Sequence, residues 1–316
     1  MKAVIVRRFG GPDVLEYDEV ADPEPGAGQV RIAVRAAGAN PVDAGNRADG
    51  TWAGIQLPWV PGYEVAGFVE SAGPGSGDLS PGQRVVAMTG YRARGGGYAT
   101  LAVAAAGDVV PIDGSVSFAA AATAPVAGGT AWEVLDRLRL KPGSRLLVLG
   151  ASGGVGSYLL QLAALQGIAT VAVGRREHHE RLRGLGALAC LDYADGRGAG
   201  DLRRRPGLEG LDAIADLVGG PAAGPWLAAL RDSGQIASIE PPELDLGALV
   251  DANITFHGVL LGNAAGRTQA LAGLLASGSL TAHIAHTLPL ADAAQAHRLL
   301  ESRHAGGKVV LIADGG

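Results

Sequence analysis

Arg145-Leu146-Leu147-Val148-Leu149-Gly150-Ala151-Ser152-Gly153-Gly154-Val155-Gly156 is the stretch whose reading decides the fold. Its first half is a near-continuous apolar run, the pattern of a strand buried on both faces. Gly150, Gly153 and Gly156 then recur at every third position, and a helical pattern over Val155–Gln166 leaves the loop and closes at Gly167. Without a Cβ the backbone can turn tightly and approach a pyrophosphate. The helix start beyond it offers N–H groups and a partial positive charge. A glycine spacing alone is a weak signal. Strand before, helix after and a second strand at Ala169–Val173 make it a specific one for a dinucleotide.

The end of that second strand bears on which dinucleotide. An acidic residue there would hold a ribose 2′-hydroxyl. Val173-Gly174-Arg175-Arg176 instead carries no acid until Glu177. Two guanidiniums suit a 2′-phosphate, which arginine binds bidentately. The plainer reading is two solvated arginines at a helix start, a position mildly unfavourable for cations. The expectation is NADPH.

Working outward, strand and helix patterns alternate. Strands are expected at Ala187–Leu191, Leu211–Val218, Gln235–Ile239 and Ile254–Leu261. Helices are expected at Glu177–Arg183, Pro221–Leu230 and Gly266–Ala276. Such alternation marks an α/β Rossmann domain, a doubly wound parallel sheet. The first third reads differently. Val30–Ala36 alternates with period two, and Pro61-Gly62, Gly73-Pro74-Gly75 and Pro81-Gly82 punctuate short apolar runs, as in a β-rich, barrel-like domain. Ser117 is placed to cap a helix entering an Ala-rich stretch. The tail carries a helix (Leu290–Glu301) and a strand (Lys308–Ile312), placed back against the first domain. The expected division is 1–116 with 277–316, and 117–276.

Composition narrows the function. The 316 residues are 47% hydrophobic and 18% charged, the profile of a folded globular chain, and length suggests two domains. The net charge of −5 with no long basic run speaks against a nucleic-acid partner. No apolar stretch long enough for a membrane span escapes its Pro and Gly breakers, and MKAVIVRRFG reads as a strand rather than a signal peptide. Cys190 is the single cysteine, which excludes an internal disulfide and a multi-thiolate zinc site; a reduced, cytoplasmic setting is expected.

Several motifs in fixed order carry a resemblance across essentially the whole chain. They are Ala39-Asn40-Pro41-Val42-Asp43, Pro61-Gly62-Tyr63-Glu64-Val65-Ala66-Gly67, Gly82-Gln83-Arg84-Val85-Val86, Gly97-Tyr98-Ala99, Gly150–Gly156 and Gly307-Lys308-Val309-Val310-Leu311. The chain resembles the medium-chain dehydrogenase/reductase superfamily, and most its zinc-free quinone oxidoreductase branch, with a GroES-like first domain. Zinc members hold a catalytic metal with a Cys, a His and a Glu. Asn40 stands at the Cys position and Tyr63 at the His position, and Glu64 alone cannot hold zinc. The four-cysteine structural zinc loop is also missing. The resemblance implies hydride transfer from NADPH to a quinone or an activated C=C bond (an enone or enoyl thioester). Such acceptors are polarised by their own carbonyl. The alternative from a different class is a non-catalytic NADPH-binding sensor or structural protein, which would keep the same loop. A homodimer through the Ile254–Leu261 edge strand is expected on the same ground.

The resemblance also places residues. Asn40 would orient nicotinamide or substrate, or else hold the turn before Pro41. Tyr63 would donate to the substrate oxygen, or else fill the vacated metal position. Thr130 would lie near nicotinamide, or else only start a helix. Cofactor contacts are expected from Ala151, Ser152, Gly153, Gly154, Val155 and Gly156 of the loop. Others are expected from Gly174, Arg175, Arg176, Tyr193, Val218 and Leu260. Asp43 is expected in a structural hydrogen bond or salt bridge. Trp52, Trp59 and Tyr91 either line an aromatic pocket or simply pack or face solvent. His178 and His179 read as part of a polar helix start with no ligand-spaced partner, His283 and His286 as chance spacing, Cys190 as a buried inert thiol, and Arg203-Arg204-Arg205 as a solvated helix end.

Overall fold

The computed structural model describes residues 1–90, 95–193, 210–262 and 265–313. Among them the chain runs β1 (Lys2–Val6), β2 (Leu15–Glu19), β3 (Gln29–Ala39), α1 (Pro41–Ala48), β4 (Glu64–Ala72), β5 (Arg84–Met88), β6 (Leu101–Ala105), β7 (Val109–Pro111) and α2 (Phe118–Ala121). It continues through α3 (Gly129–Leu138), β8 (Arg145–Leu149), α4 (Gly154–Leu165), β9 (Ala169–Val173), α5 (His179–Gly184), β10 (Ala187–Leu191), β11 (Leu211–Asp216), β12 (Leu230–Ser238), α6 (Leu246–Asp251) and β13 (Thr255–Gly258). The tail holds α7 (Ala265–Ala276), β14 (Ile284–Pro289), α8 (Ala293–Glu301) and β15 (Lys308–Ile312). Contacts divide this chain into two units, Met1–Gly129 with Gly262–Gly316, and Thr130–Leu261.

The first unit is built on a sheet of order β14-β15-β3-β4-β5-β7, with β6 also paired to β3, beside the β1–β2 hairpin. Alternation along β3 sends Val30, Ile32 and Val34 into a core with Val65, Val85, Tyr98, Val309 and Leu311. Each such fully buried aliphatic side chain contributes roughly 1.5–3 kcal/mol. β15 pairs antiparallel with β3, setting Val309 opposite Ala39, and β3 pairs antiparallel with β4, setting Gly38 opposite Glu64. The sheet therefore brings the last strand of the chain to the same sheet end as Asn40 and Glu64.

The second unit is a six-stranded, all-parallel sheet of order β10-β9-β8-β11-β12-β13. Its order reverses at β8, flanked by β9 on one side and β11 on the other. The carboxyl end of β8 is thus the switch point where open α/β sheets bind ligands. Leu147, Leu149, Val171, Val173, Ile214 and Ile236 form the core under it.

Two expectations change, in the domain division and at Pro221–Leu230. The segments 117–129 and 262–276 pack with the first unit, because Ala121, Ala122 and Ala272 bury against Val86, Val110 and Val310. Ser117 caps α2 as expected, its Oγ accepting from Ala120 N–H at 3.1 Å, and the Ala-rich stretch beyond it is interrupted. It widens into a π turn at Ala124–Gly128, where Pro125 has no N–H to give. Pro221–Leu230 is not the expected α-helix. Gly219 and Gly220 take positive φ, and only a 3-10 turn forms at Gly224–Ala229, since Gly224 and Pro225 disfavour a regular helix. No helix among the described residues is long and apolar enough to cross a membrane.

Candidate active site

In the second unit the chain turns out of β8 at Gly150, whose φ of +76° suits glycine. Gly153 N–H donates to Gly150 O at 3.1 Å, closing the turn, and α4 starts at once. A Cβ on Gly156 would lie 2.5 Å from Ala151 O and 2.6 Å from Gly150 O, so the turn closes this tightly only around glycine. A Cβ on Gly153 would meet only Gly150 O, at 3.4 Å, so its face is open to an approaching group. The first N–H groups of a helix have no carbonyl one turn earlier to bond. The loop has the shape and donors to hold a pyrophosphate.

Other expected contacts gather at this loop. Tyr193 Oη accepts from Gly150 N–H at 2.5 Å, and a Cβ on Gly150 would meet Val218 Cγ2 at 3.0 Å. A Cβ on Gly174 would stand 3.6 Å from Ser152 Oγ, so the end of β9 adjoins the loop. Arg175 and Arg176 follow it and are both exposed. Arg176 donates its N–H to Asp192 Oδ2 at 2.6 Å, with its guanidinium 3.9 Å from the same oxygen. Two residues were missed from sequence. Arg181 on α5 reaches Ser152 O at 3.3 Å and Ser157 Oγ at 3.4 Å, and its burial lowers its pKa. Buried Asp216 accepts from Val218 and Gly219 N–H, both at 3.0 Å, and so shapes the neighbouring turn. The arginine's only sequence signal was its place five residues beyond Arg176. Thr130 is buried at the start of α3, and Leu260 is exposed beyond β13.

In the first unit Asn40, Asp43, Asn46, Tyr63, Glu64 and Lys308 are all buried. Lys308 Nζ donates to Asn40 Oδ1 at 2.6 Å, Glu64 Oε1 at 2.7 Å and Ala39 O at 3.3 Å. Asn40 Nδ2 donates to Glu64 Oε1 at 2.9 Å and to Gly38 O at 3.3 Å. Both N–H bonds of the amide are thus committed. Glu64 Oε2 accepts from Val126 N–H at 2.8 Å, inside the π turn. The break in the Ala-rich stretch thus delivers a backbone donor to a buried carboxylate.

Tyr63 Oη accepts from Asn46 Nδ2 at 2.6 Å. Burial, with the nearby Asp43 charge, raises the Tyr63 pKa, so the hydroxyl keeps its proton at neutral pH. Asp43 accepts from Asn40 N–H at 2.9 Å, Gly62 N–H at 3.0 Å and Tyr98 Oη at 3.3 Å. It is the structural hydrogen-bonding residue expected, tying the Asn40 turn to the Gly62–Tyr63 turn. His297, edge-on to Tyr98, is held at a pKa of about 3 by burial and by Arg47.

Burial pushes the Asp43 carboxyl up to about 7, against the pull of the Asn40 and Gly62 N–H groups. The folded chain therefore keeps this proton at pH values where the unfolded carboxyl, near 3.9, has lost it. Stability from this group is complete below about pH 4 and falls as pH climbs through about 7. Asp43→Asn has no such titration. Urea unfolding at a series of pH values should show the variant gaining on the native chain by a few kcal/mol between about pH 4 and 7. A difference flat over that range would refute the assignment.

Trp59 is buried, its ring 6.4 Å from Tyr63, whereas Trp52 is exposed. Cys190 is buried, which raises its thiol pKa. Among the described residues no group of three His, Cys, Asp or Glu side chains could hold a metal ion. Tyr91 and Arg203–Arg205 lie outside the described residues.

Residues 26–114 match the family described as alcohol dehydrogenase GroES-like domain, and residues 185–311 that described as zinc-binding dehydrogenase. A quinone oxidoreductase of Lama guanicoe is 31% identical over 99% of this chain and 97% of its own length. A chloroplastic NADPH-dependent alkenal/one oxidoreductase of Arabidopsis thaliana is 31% identical over 98% of this chain and 79% of its own. The solved structure of Escherichia coli quinone oxidoreductase complexed with NADPH superposes with a TM-score of 0.89, at 25% identity, over 99% of this chain and 100% of that one. The chain belongs to the medium-chain dehydrogenase/reductase superfamily, in its quinone oxidoreductase branch. It is an oxidoreductase of the reductase type, with a GroES-like domain and a Rossmann nucleotide-binding domain.

Proposed function

We propose that this protein is a zinc-independent, NADPH-dependent reductase of quinones or of C=C bonds conjugated to a carbonyl. The observation that carries the acceptor class is the state of Glu64. Its carboxylate is already taken by Lys308, Asn40 and Val126, and its neighbours are Asn40 and Tyr63 rather than thiolate and imidazole. These residues do not fit a zinc ion. Without a Lewis acid, the acceptor has to be polarised already.

NADPH supplies a hydride when bound. The chain's part is to hold the dinucleotide, stabilise the oxyanion that develops on the acceptor, and supply a proton. Tyr63 is our candidate donor, a buried hydroxyl that is protonated at neutral pH and oriented by Asn46. Asn40 has both N–H bonds engaged within the protein, so towards a ligand it acts as an acceptor, suited to a carboxamide N–H. Thr130 and Leu260 remain candidates for cofactor contact.

The NADPH preference rests on Arg175, exposed at the end of β9 and without an ion pair to another described residue. Cofactor consumption with a small panel of quinones and enones should favour NADPH over NADH by at least about tenfold, the effect of one ion pair of about 1.4 kcal/mol. Arg175→Ala should erase most of that ratio by raising the KM for NADPH alone. Equal use of both cofactors would overturn the assignment. Tight NADPH binding with no turnover on any acceptor would favour the non-catalytic sensor. We also propose a cytoplasmic homodimer joined along β13, an edge strand with Phe256 exposed, which sedimentation velocity would test.

A further inference from the structure

We infer that Lys308 is a positioning residue of the active site, an internal cation that fixes the amide of Asn40 and the carboxylate of Glu64. The inference rests on the reductase reading above. Three strand ends create the arrangement: Lys308 opens β15, Asn40 follows β3 and Glu64 opens β4. The ammonium has three N–H bonds and meets three acceptors, Asn40 Oδ1, Glu64 Oε1 and the Ala39 carbonyl. Lys308 is 4% exposed and Glu64 fully buried, so the pair is shielded from water and salt.

The geometry settles which way the Asn40 amide points. An ammonium can only donate, so it selects the oxygen of Asn40; Glu64 then takes the nitrogen. Turned over, the amide would set its NH₂ against the ammonium and its oxygen against the carboxylate. Lys308 thereby decides which side of Asn40 is the acceptor, although it stands 268 residues away in sequence. A purely structural ion pair would hold strands together without this consequence. Any polar partner for Glu64 would then serve.

The test uses three full-length proteins: the native chain, Lys308→Met, and the double variant Lys308→Met with Glu64→Gln. Turnover of NADPH with a reactive quinone is measured alongside thermal unfolding and the side-chain amide signals of Asn40 in ¹⁵N–¹H spectra. Lys308→Met should lower Tm and reduce kcat at least tenfold, with the KM for NADPH within about twofold of native. The double variant removes both charges and should recover Tm but not kcat. In the native protein the two Asn40 amide protons should exchange slowly, and in both variants faster. Native kcat in the double variant, or native amide exchange in either variant, would overturn the inference. A native chain with no turnover on any quinone or enone would sink the reductase reading, while the Asn40 exchange would still decide the role of Lys308.

Discussion

Alanine at Gly156 is expected to cost about 3 kcal/mol of stability and to weaken NADPH binding on the order of 100-fold. The added Cβ would meet Ala151 O, Ala151 Cα and Gly150 O at 2.5–2.6 Å. All three are backbone atoms, so no rotamer change relieves the overlap. The β8–α4 turn has to open, and its N–H groups then leave the geometry that a pyrophosphate requires. Gly153→Ala is the informative companion. Its nearest contact is Gly150 O at 3.4 Å, so stability should stay within about 1 kcal/mol of native. Binding should still weaken, because the methyl occupies the open face of the loop. Cofactor fluorescence titration and urea unfolding read the two quantities separately. Native affinity in Gly153→Ala would show that the dinucleotide does not lie on this loop.

Removing the Glu64 carboxylate should be the most damaging single change in the first unit. Glu64→Ala leaves the Lys308 ammonium buried with its charge uncompensated, and leaves Asn40 Nδ2 and Val126 N–H without their acceptor. Breaking a buried ion pair from one side costs about 3–5 kcal/mol, because the remaining charge keeps its desolvation penalty. Adding Lys308→Met to Glu64→Ala should recover much of that loss, since an apolar side chain has no such penalty. Chemical denaturation of the four proteins forms a double-mutant cycle. Losses that simply add would mean that the two groups do not interact in the folded chain.

Much of the second unit was legible because its signals are local. The run Arg145–Leu149, the three glycines after it and the apolar strand Ala169–Val173 each specify structure within a few residues, and all appear as expected. Ser117 as a helix cap is equally local. Pro221–Leu230 does not form the expected helix for an equally local reason: Gly224 and Pro225 stand inside it.

The site in the first unit shows where sequence reading stops. Asn40, Tyr63 and Glu64 could be named from motifs, and Asp43 took its structural role as expected. Lys308 was part of a quoted motif, yet nothing nearby told what it does. Its one signal was a charge opening an apolar strand, which forbids burial without a partner but does not name the partner. That partner is chosen by sheet order: β15 beside β3 and β3 beside β4 bring residues 40, 64 and 308 within hydrogen-bond reach. By itself the sequence determined the βαβ unit, the glycine loop and the absence of cysteine and histidine from positions 40 and 63. Those depend on backbone freedom and residue chemistry, which are properties of short segments. Only the tertiary structure decided which way the Asn40 amide points, what partners the Glu64 carboxylate has and why the Asp43 carboxyl is pushed up to about 7. Those depend on desolvation and on charges brought together from distant strands, and neither exists until the sheet has formed.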